Sequence, residues 1–306
     1  MKRLLVFFCI SLILAAAAPA QPVKEKYTVI PEAPSPGEPV TIGINFYAKQ
    51  AVLVVDGKRV AKAALFNVPG KTKKTTFSAA VFTIPSTVEG TSAIILLEND
   101  KGSNREIPLT ITPREFNSEK IVLSNTMASL INDPDPQKVK EAERLWAILN
   151  FTGSEIYHSG KFSPPVTSTR RTSAFGSRRV NQYPSGRTTT SIHAGVDYGV
   201  PKGTEVFACG AGKVVLACMR IVSGNTVIIE HAPGIYSIYY HLDKIEVQED
   251  TMVKTGDLLA LSGSTGFSTG PHLHWEIRVS SENTDPDIFL ARPVLDKDLI
   301  ISKISK

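Results

Sequence analysis

Cysteine is nearly absent from this 306-residue sequence, with only Cys9, Cys209 and Cys218 present. Cys209 and Cys218 would be candidates for a disulfide outside the cytoplasm. The local pattern predicts instead a hairpin of Val206–Cys209 and Lys213–Cys218 around Gly210-Ala211-Gly212. That hairpin places Cys209 by the turn and Cys218 near Gly203 or Thr204, too far apart to bridge, so both are read as small buried hydrophobes. Long apolar runs are also missing after the first 20 residues, which excludes a further membrane-spanning helix of about 20 apolar residues. No sign of charge dominates. The formal net charge is +5, the basic residues are scattered, and no nucleic-acid motif is present, so no nucleic-acid partner is expected. Histidine is missing from the whole stretch before His158.

The one apolar run that exists has the layout of an export signal. Lys2 and Arg3 precede Leu4–Leu14, which is broken only by Ser11, and Ala18-Pro19-Ala20 offers small residues for cleavage before Gln21. The run is too short to span comfortably. Cys9 lies inside it, behind Val6, Phe7 and Phe8, and does not suit a lipid anchor. The expectation is an exported, periplasmic or envelope-associated chain with residues 1–20 removed and no stable membrane span.

Twenty prolines and 21 glycines spread along the chain imply many turns and a mainly β fold. Residues 24–112 read as about seven short strands. One is a hairpin signal, Ala51–Val55, Asp56-Gly57, then Arg59–Ala63, and together they suggest an immunoglobulin-like β-sandwich. Residues 113–173 read as a connector. Asp135-Pro136 opens a helix, and Val139, Ala142, Leu145, Trp146 and Leu149 recur at helical spacing as a packing stripe. A Ser-, Thr-, Pro- and Arg-rich loop follows from Ser159 to Ala174, and is expected to be mobile. Residues 174–290 read as a second, antiparallel β-domain, and 291–306 as a polar tail that frays.

Five of the six histidines fall in that second β-domain. His193 and Asp197 sit in His193-Ala194-Gly195-Val196-Asp197; imidazole and carboxylate are the donor types of a catalytic zinc. In a straight strand residues four apart lie about 13 Å from each other, so the chain must bend near Ala194-Gly195 for both to reach one ion. His272 and His274 flank Leu273. On a strand, Leu273, Trp275, Ile277 and Val279 form the buried face, while His272, His274, Glu276 and Arg278 share the other. The preceding Ser264-Thr265-Gly266 to Gly270-Pro271 is a glycine-rich loop of the kind that borders a site. His158 and His231 match no metal-site spacing and are read as structural. Glu276 is read as orienting a neighbour, and Tyr239 and Tyr240 as packing or groove wall.

These blocks together resemble the catalytic domain of M23 metallopeptidases, the lysostaphin or LytM type. His193-Ala194-Gly195-Val196-Asp197-Tyr198-Gly199, Tyr240-His241-Leu242 and Ser264-Thr265-Gly266 through His272-Leu273-His274 stand in family order over roughly residues 174–290. Phe175-Gly176-Ser177-Arg178, Asn225-Thr226-Val227 and Asp285-Pro286 also fit. The resemblance implies one zinc per chain held by His193, Asp197 and His274. It implies His241 and His272 as catalytic histidines that handle the water proton and stabilise the transition state. It implies peptide cross-links of bacterial peptidoglycan, carried on its peptide stems, as substrate. The alternatives are a catalytically inactive regulator of other wall hydrolases and a wall-binding module. The tyrosine that many members carry before the first ligand is missing, and Arg187 or Tyr183 would stand in for it.

Overall fold

A computed structural model describes residues 24–69, 76–102 and 104–305. The leader expected at residues 1–20 lies outside the described residues. The chain is mainly β, as its turn-rich composition implies.

Eight strands form the first two layers: β1 (Tyr27–Ile30), β2 (Pro39–Ile44), β3 (Gln50–Val55), β4 (Lys58–Ala64), β5 (Phe66–Pro69), β6 (Thr76–Thr83), β7 (Ser92–Glu98) and β8 (Asn104–Thr110). One sheet has the order β1-β2-β6-β5 and the other β4-β3-β7-β8. The β3–β4 hairpin closes on Asp56-Gly57, both at positive φ (49° and 74°), which is what a two-residue hairpin turn of this hand requires. In β7, Ala93, Ile95 and Leu97 alternate inward and meet Val40, Ile42, Ile44 and Phe82 from the facing sheet.

Strand β9 (Ser118–Val122) and helices α1 (Asn125–Asn132) and α2 (Pro136–Asn150) come next. The Asp135 carboxylate caps α2 by accepting from Gln137 N–H, with Pro136 in the first turn, as expected from sequence. The expected packing stripe of α2 is only partly used. Leu149 is buried against Leu216, Ile228 and Ile238, but Val139, Ala142 and Trp146 are exposed. Polar contacts dock the first half of the helix instead: Glu141 Oε2 accepts from Ile221 N–H, and Arg144 pairs with Glu249.

The remaining strands are β10 (Arg171–Ser173), β11 (Arg178–Gln182), β12 (Thr188–Ile192), β13 (Val196–Tyr198), β14 (Glu205–Phe207), β15 (Gly212–Arg220), β16 (Gly224–Ala232), β17 (Ile235–Ile245), β18 (Met252–Val253), β19 (Leu258–Ser262), β20 (Leu273–Val279) and β21 (Glu282–Thr284). Helices α3 (Pro286–Ala291) and α4 (Lys297–Ser305) end the described chain. Ten of these strands make one sheet along the path β10-β13-β20-β17-β16-β15-β18, with β19 on β17, β14 on β19 and β21 on β20. The other two join β9 in a small sheet, β12-β11-β9, in which β9 runs parallel to β11.

Three sequence expectations need correction. The hairpin across Gly210-Ala211-Gly212 does not form, because β14 pairs with β19 while β15 pairs with β16 and β18. Both cysteines are nevertheless free, Cys209 buried and Cys218 half-buried. The segment before β10 is anchored rather than loose, since Phe162 and Val166 are buried in the main core. The tail does not fray. Its α4 buries Ile300, Ile301 and Ile304, and a Cβ on Gly43 of β2 would lie 2.4 Å from Ile300 Cγ2. Strand β2 is therefore buried on both faces, with Ile42 and Ile44 in the sandwich core and Gly43 under α4. Strand β6 likewise alternates between two cores. Ala80 and Phe82 face the sandwich, while Phe77, Ala79 and Val81 join the cluster of Trp275, Ile277 and Val279.

Candidate metal centre and its groove

His193, Asp197 and His274 converge although His193 follows a strand of the small sheet and the other two lie in the large one. His193 follows β12, and Asp197 lies in β13 of the large sheet. The chain changes sheet across Ala194-Gly195, which is the bend that the four-residue spacing demands. Only glycine fits that bend: a Cβ on Gly195 would lie 2.2 Å from the Trp275 carbonyl oxygen. The tight approach brings β13 alongside β20, so that Asp197 pairs with His274 in register. Strand β20 itself alternates as expected. Leu273, Trp275, Ile277 and Val279 are fully buried beneath, and His274 and Glu276 face the site.

His241 reaches the same space by a break in the strand pattern. Tyr239 points into the core and Tyr240 stacks on His274, with ring centroids 5.5 Å apart. Strict alternation would turn His241 away again. It instead adopts φ of +59°, where the β16–β17 register shifts, and its ring comes to 4.8 Å from His272 and 6.1 Å from His274. A left-handed backbone conformation at a non-glycine residue costs about 1 kcal/mol or more and is typically kept for a site.

The donors fit a metal ion. His193 Nε2 lies 3.1 Å from Asp197 Oδ1 and 3.0 Å from His274 Nδ1, and His274 Nδ1 lies 2.6 Å from Asp197 Oδ1. A tetrahedral zinc with arms of about 2.0–2.1 Å holds its donors about 3.3 Å apart. All three residues are buried, and each offers one ligand atom to the group. The outward ring nitrogens are tied down. His193 Nδ1–H donates to Ala174 O (2.8 Å), His241 Nδ1–H to Thr265 O (2.8 Å), His272 Nδ1–H to Gly270 O (2.8 Å) and His274 Nε2–H to Glu276 Oε1 (2.9 Å). An oxygen acceptor fixes the proton on the outer nitrogen, so the inner nitrogen of each ring is the one left to bind a cation or take a proton.

Electrostatics sharpen these assignments. Burial opposes charge on His274, but the Asp197 and Glu276 carboxylates outweigh it and hold the ring up at about 9. A cation bound there takes the place of the Nδ1 proton. Burial would raise Asp197, yet His274 and His193 beside it keep the carboxyl well below the usual carboxylate range. Glu276 is held down at about 2 against its burial, by Arg278 first and then His274. Burial, then the neighbouring His272 and His274, pushes His241 down to about 3, and burial lowers His193. His241 is accordingly neutral at pH 7.

A groove of about 910 Å³ runs over the centre. Met127, Ile131 and Leu145 of α1 and α2 line one side, and Asn181 and Thr189 of the β11–β12 hairpin line another. Arg187 in that hairpin stacks on Tyr183 (4.2 Å) and donates to Asn132 Oδ1 of α1 (3.0 Å). Tyr183 lines the groove and is itself largely buried.

His158 and His231 lie elsewhere. His231 Nδ1–H donates to Ala211 O, which leaves Nε2 to accept from Ser237 O–H at 2.7 Å. Ser237 Oγ also lies 3.1 Å from Tyr239 Oη, which accepts from Cys209 N–H, so that these buried polar groups form one connected chain. His158 packs on Phe162 and accepts from Ala211 N–H. Sequence reasoning passed over Ser173, Arg179 and Glu119. Arg179 Nη2 donates to Asp197 Oδ2 at 2.9 Å, and Glu119 and Ser173 hold Arg179. No spacing motif links residues 119, 173, 179 and 197, so only the fold brings them together.

The model of peptidase family M23 matches residues 191–286, which contain the five site residues and none of Ser173, Arg179 and Glu119. Among curated proteins, a DD-carboxypeptidase/endopeptidase Mpg of Neisseria meningitidis is 36% identical over 135 residues, 44% of this chain and 30% of that protein. A peptidoglycan DD-endopeptidase ShyB of Vibrio cholerae is 42% identical over 93 residues, 30% of this chain and 22% of that protein. This chain thus spans under a third of either relative. A crystal structure from Pseudomonas aeruginosa, described as a candidate M23 peptidase, aligns over 84% of this chain and 94% of its own length with a TM-score of 0.58 and 23% identity. That likeness shows a shared fold through most of both chains.

Proposed function

Residues 191–286 match peptidase family M23, and on that premise we propose that this chain is an exported zinc endopeptidase that hydrolyses peptide cross-links of bacterial peptidoglycan. The observation that carries the reading is the convergence of four imidazoles, each with its outer N–H tied to a fixed oxygen, around one buried carboxylate. The named activities of the curated relatives support the substrate class. The export-signal layout read from the first 20 residues of the sequence supports action in the envelope, and among the described residues no helix is long and apolar enough to cross a membrane.

His193 Nε2, Asp197 Oδ1 and His274 Nδ1 would hold the zinc. When bound, zinc supplies Lewis-acid polarisation of the scissile carbonyl and a lowered pKa for water. His241 and His272 present their Nε2 atoms to the same space, with His272 Nε2 3.8 Å from Asp197 Oδ1. One ring accepts the proton of the attacking water. The ring so protonated donates a hydrogen bond to the oxygen that becomes negative as the carbon turns tetrahedral, then gives the proton to the amine nitrogen that leaves as the C–N bond breaks. Glu276 orients His274 by accepting its Nε2–H, and Arg278 anchors Glu276 at 2.8 Å. The groove walls would hold an extended peptide across the centre and exclude water from it.

The test has two readouts. Purified protein should carry about one zinc per chain, and His274→Ala and Asp197→Ala should each abolish it. Mass spectrometry of purified sacculi treated with the wild-type protein should show cross-linked muropeptide dimers converted to monomers. Full zinc occupancy in both variants, or dimers left intact by the zinc-loaded protein, overturns the proposal.

A further inference from the structure

We propose that Arg179 is a positioning residue for Asp197, and Glu119 for Arg179, so that strand β9 is part of the metal-binding apparatus. This rests on the metal-site reading above and extends it to residues outside the segment that matches the family.

The two oxygens of Asp197 have different surroundings. Oδ1 faces the histidine donors, while Oδ2 accepts from Arg179 Nη2 at 2.9 Å. A carboxylate free to rotate could offer a cation either oxygen or both. A guanidinium fixed on Oδ2 leaves Oδ1 as the one donor turned to the centre. The guanidinium is itself held from two further sides. Its Nε donates to Glu119 Oε2 at 3.3 Å and its Nη2 to Ser173 Oγ at 2.9 Å. Ser173 O–H in turn donates to Glu119 at 2.8 Å, and Ser173 Oγ lies 3.0 Å from His193 Nδ1. One network thus touches two of the three donor residues.

Charge explains why Glu119 is needed. A lone arginine beside a ligand carboxylate orients it but repels a divalent cation a few ångströms away. Glu119 offsets that charge, and its carboxyl is held below its ordinary range by Ser177, Ser173 and Arg179 against its burial. The backbone sets the partnership. β9 runs parallel to β11 with Glu119 directly in register with Arg179. Lysine would keep the charge but lose the planar fork that grips Oδ2 and Glu119 together.

The experiment measures the zinc Kd of the full mature chain by competition with a chelator, alongside the melting temperature of the metal-free protein. Arg179→Met should raise the Kd by ~10–100-fold, the usual scale for a group that orients a ligand, with the metal-free melting temperature little changed. Glu119→Gln should raise it by up to ~10-fold. Because Glu119 acts through Arg179, the double variant should bind zinc no more weakly than Arg179→Met alone. Arg179→Lys serves as a second probe if the methionine variant does not fold, and should lose affinity while keeping the charge. Unchanged affinity in the Arg179 variants overturns the inference, as do losses that multiply in the double variant. So does a drop confined to the metal-free melting temperature, which marks a purely structural role. A wild-type chain that takes up no zinc instead overturns the reading of the site itself.

Discussion

His241 sits at φ +59° and His272 on a β-bridge to Gly263, yet each ties its Nδ1 to a backbone oxygen and their rings lie 4.8 Å apart beside the same centre. Neither is among the three donors that lie together, so the two should separate chemistry from metal binding. His241→Ala and His272→Ala are expected to keep zinc and to lose at least ~100-fold in turnover, a typical scale for acid–base groups. Metal analysis and turnover on a soluble cross-linked peptide check this, and wild-type activity in either variant removes that residue from the reaction. His231 offers a pH prediction far from the centre. Burial pushes it down to about 3 from 6.5, so the unfolded chain binds the extra proton between those values. Stability is then fully present above pH 6.5 and falls as pH drops through that window, by about 1.4 kcal/mol per pH unit from this one group. Chemical denaturation between pH 4 and 7.5 should show a shallower slope for His231→Asn than for the wild type. Equal slopes place the titration elsewhere. The four candidate histidines and Asp197 were visible in sequence because each sits in a short local motif. Arg179 and Glu119 were not, since only the β9–β11 pairing brings them to Asp197.

At the scale of elements, the β12–β13 bend and the α1 helix behave oppositely. Gly195 is pressed against β20, and Gly195→Ala must push Trp275 O or the strand aside. A loss of roughly 2–4 kcal/mol is expected, together with weaker zinc binding, because β13 and β20 carry Asp197 and His274. Thermal unfolding and zinc titration of that variant check it, and a native-like melting temperature would count against the tight approach. Helix α1 has no buried residue, although Met127 and Ile131 line the groove. Its amides should exchange much faster than those of β16 and β17, which lie at the heart of the large sheet. Protection of α1 equal to β17 in hydrogen-exchange mass spectrometry contradicts this. Sequence periodicity placed α2 correctly from its Asp135-Pro136 start. It overestimated the helix's apolar packing, because Glu141 and Arg144 dock it by polar contacts that leave Val139 and Trp146 exposed.

At the scale of the whole molecule, the sandwich and the large sheet share apolar surface. Phe77, Ala79 and Val81 enter the same cluster as Trp275, and α4 covers β2. Thr83 meets Thr284, and Arg114 pairs with Asp285 at 2.6 Å across the same boundary. The full chain is therefore expected to unfold in one calorimetric transition, and two well-separated transitions would show that the two parts are independent. A chain that begins at Phe162 loses β9 and uncovers β20's underside, so it should bind zinc more weakly and melt lower than the full chain. Equal affinity and stability in that shortened chain would mean the first 161 residues do not support the site.

Local order was enough to determine the mainly β character, the Asp56-Gly57 turn, the capped start of α2, the two-faced β20 strand and the necessity of a bend at Ala194-Gly195. Each follows from residue period or from what glycine, proline and a capping aspartate permit over a few positions. Tertiary structure alone decided which strands pair, and so overruled the hairpin that would have placed the cysteines. It turned the polar-looking tail into a helix, since Ile300, Ile301 and Ile304 stabilise only by covering a strand more than 250 residues away. It also turned His241 toward the centre against strand alternation, and set Arg179 and Glu119 behind Asp197. Those outcomes depend on contacts between residues far apart in the chain, whose free energy no short window of sequence contains.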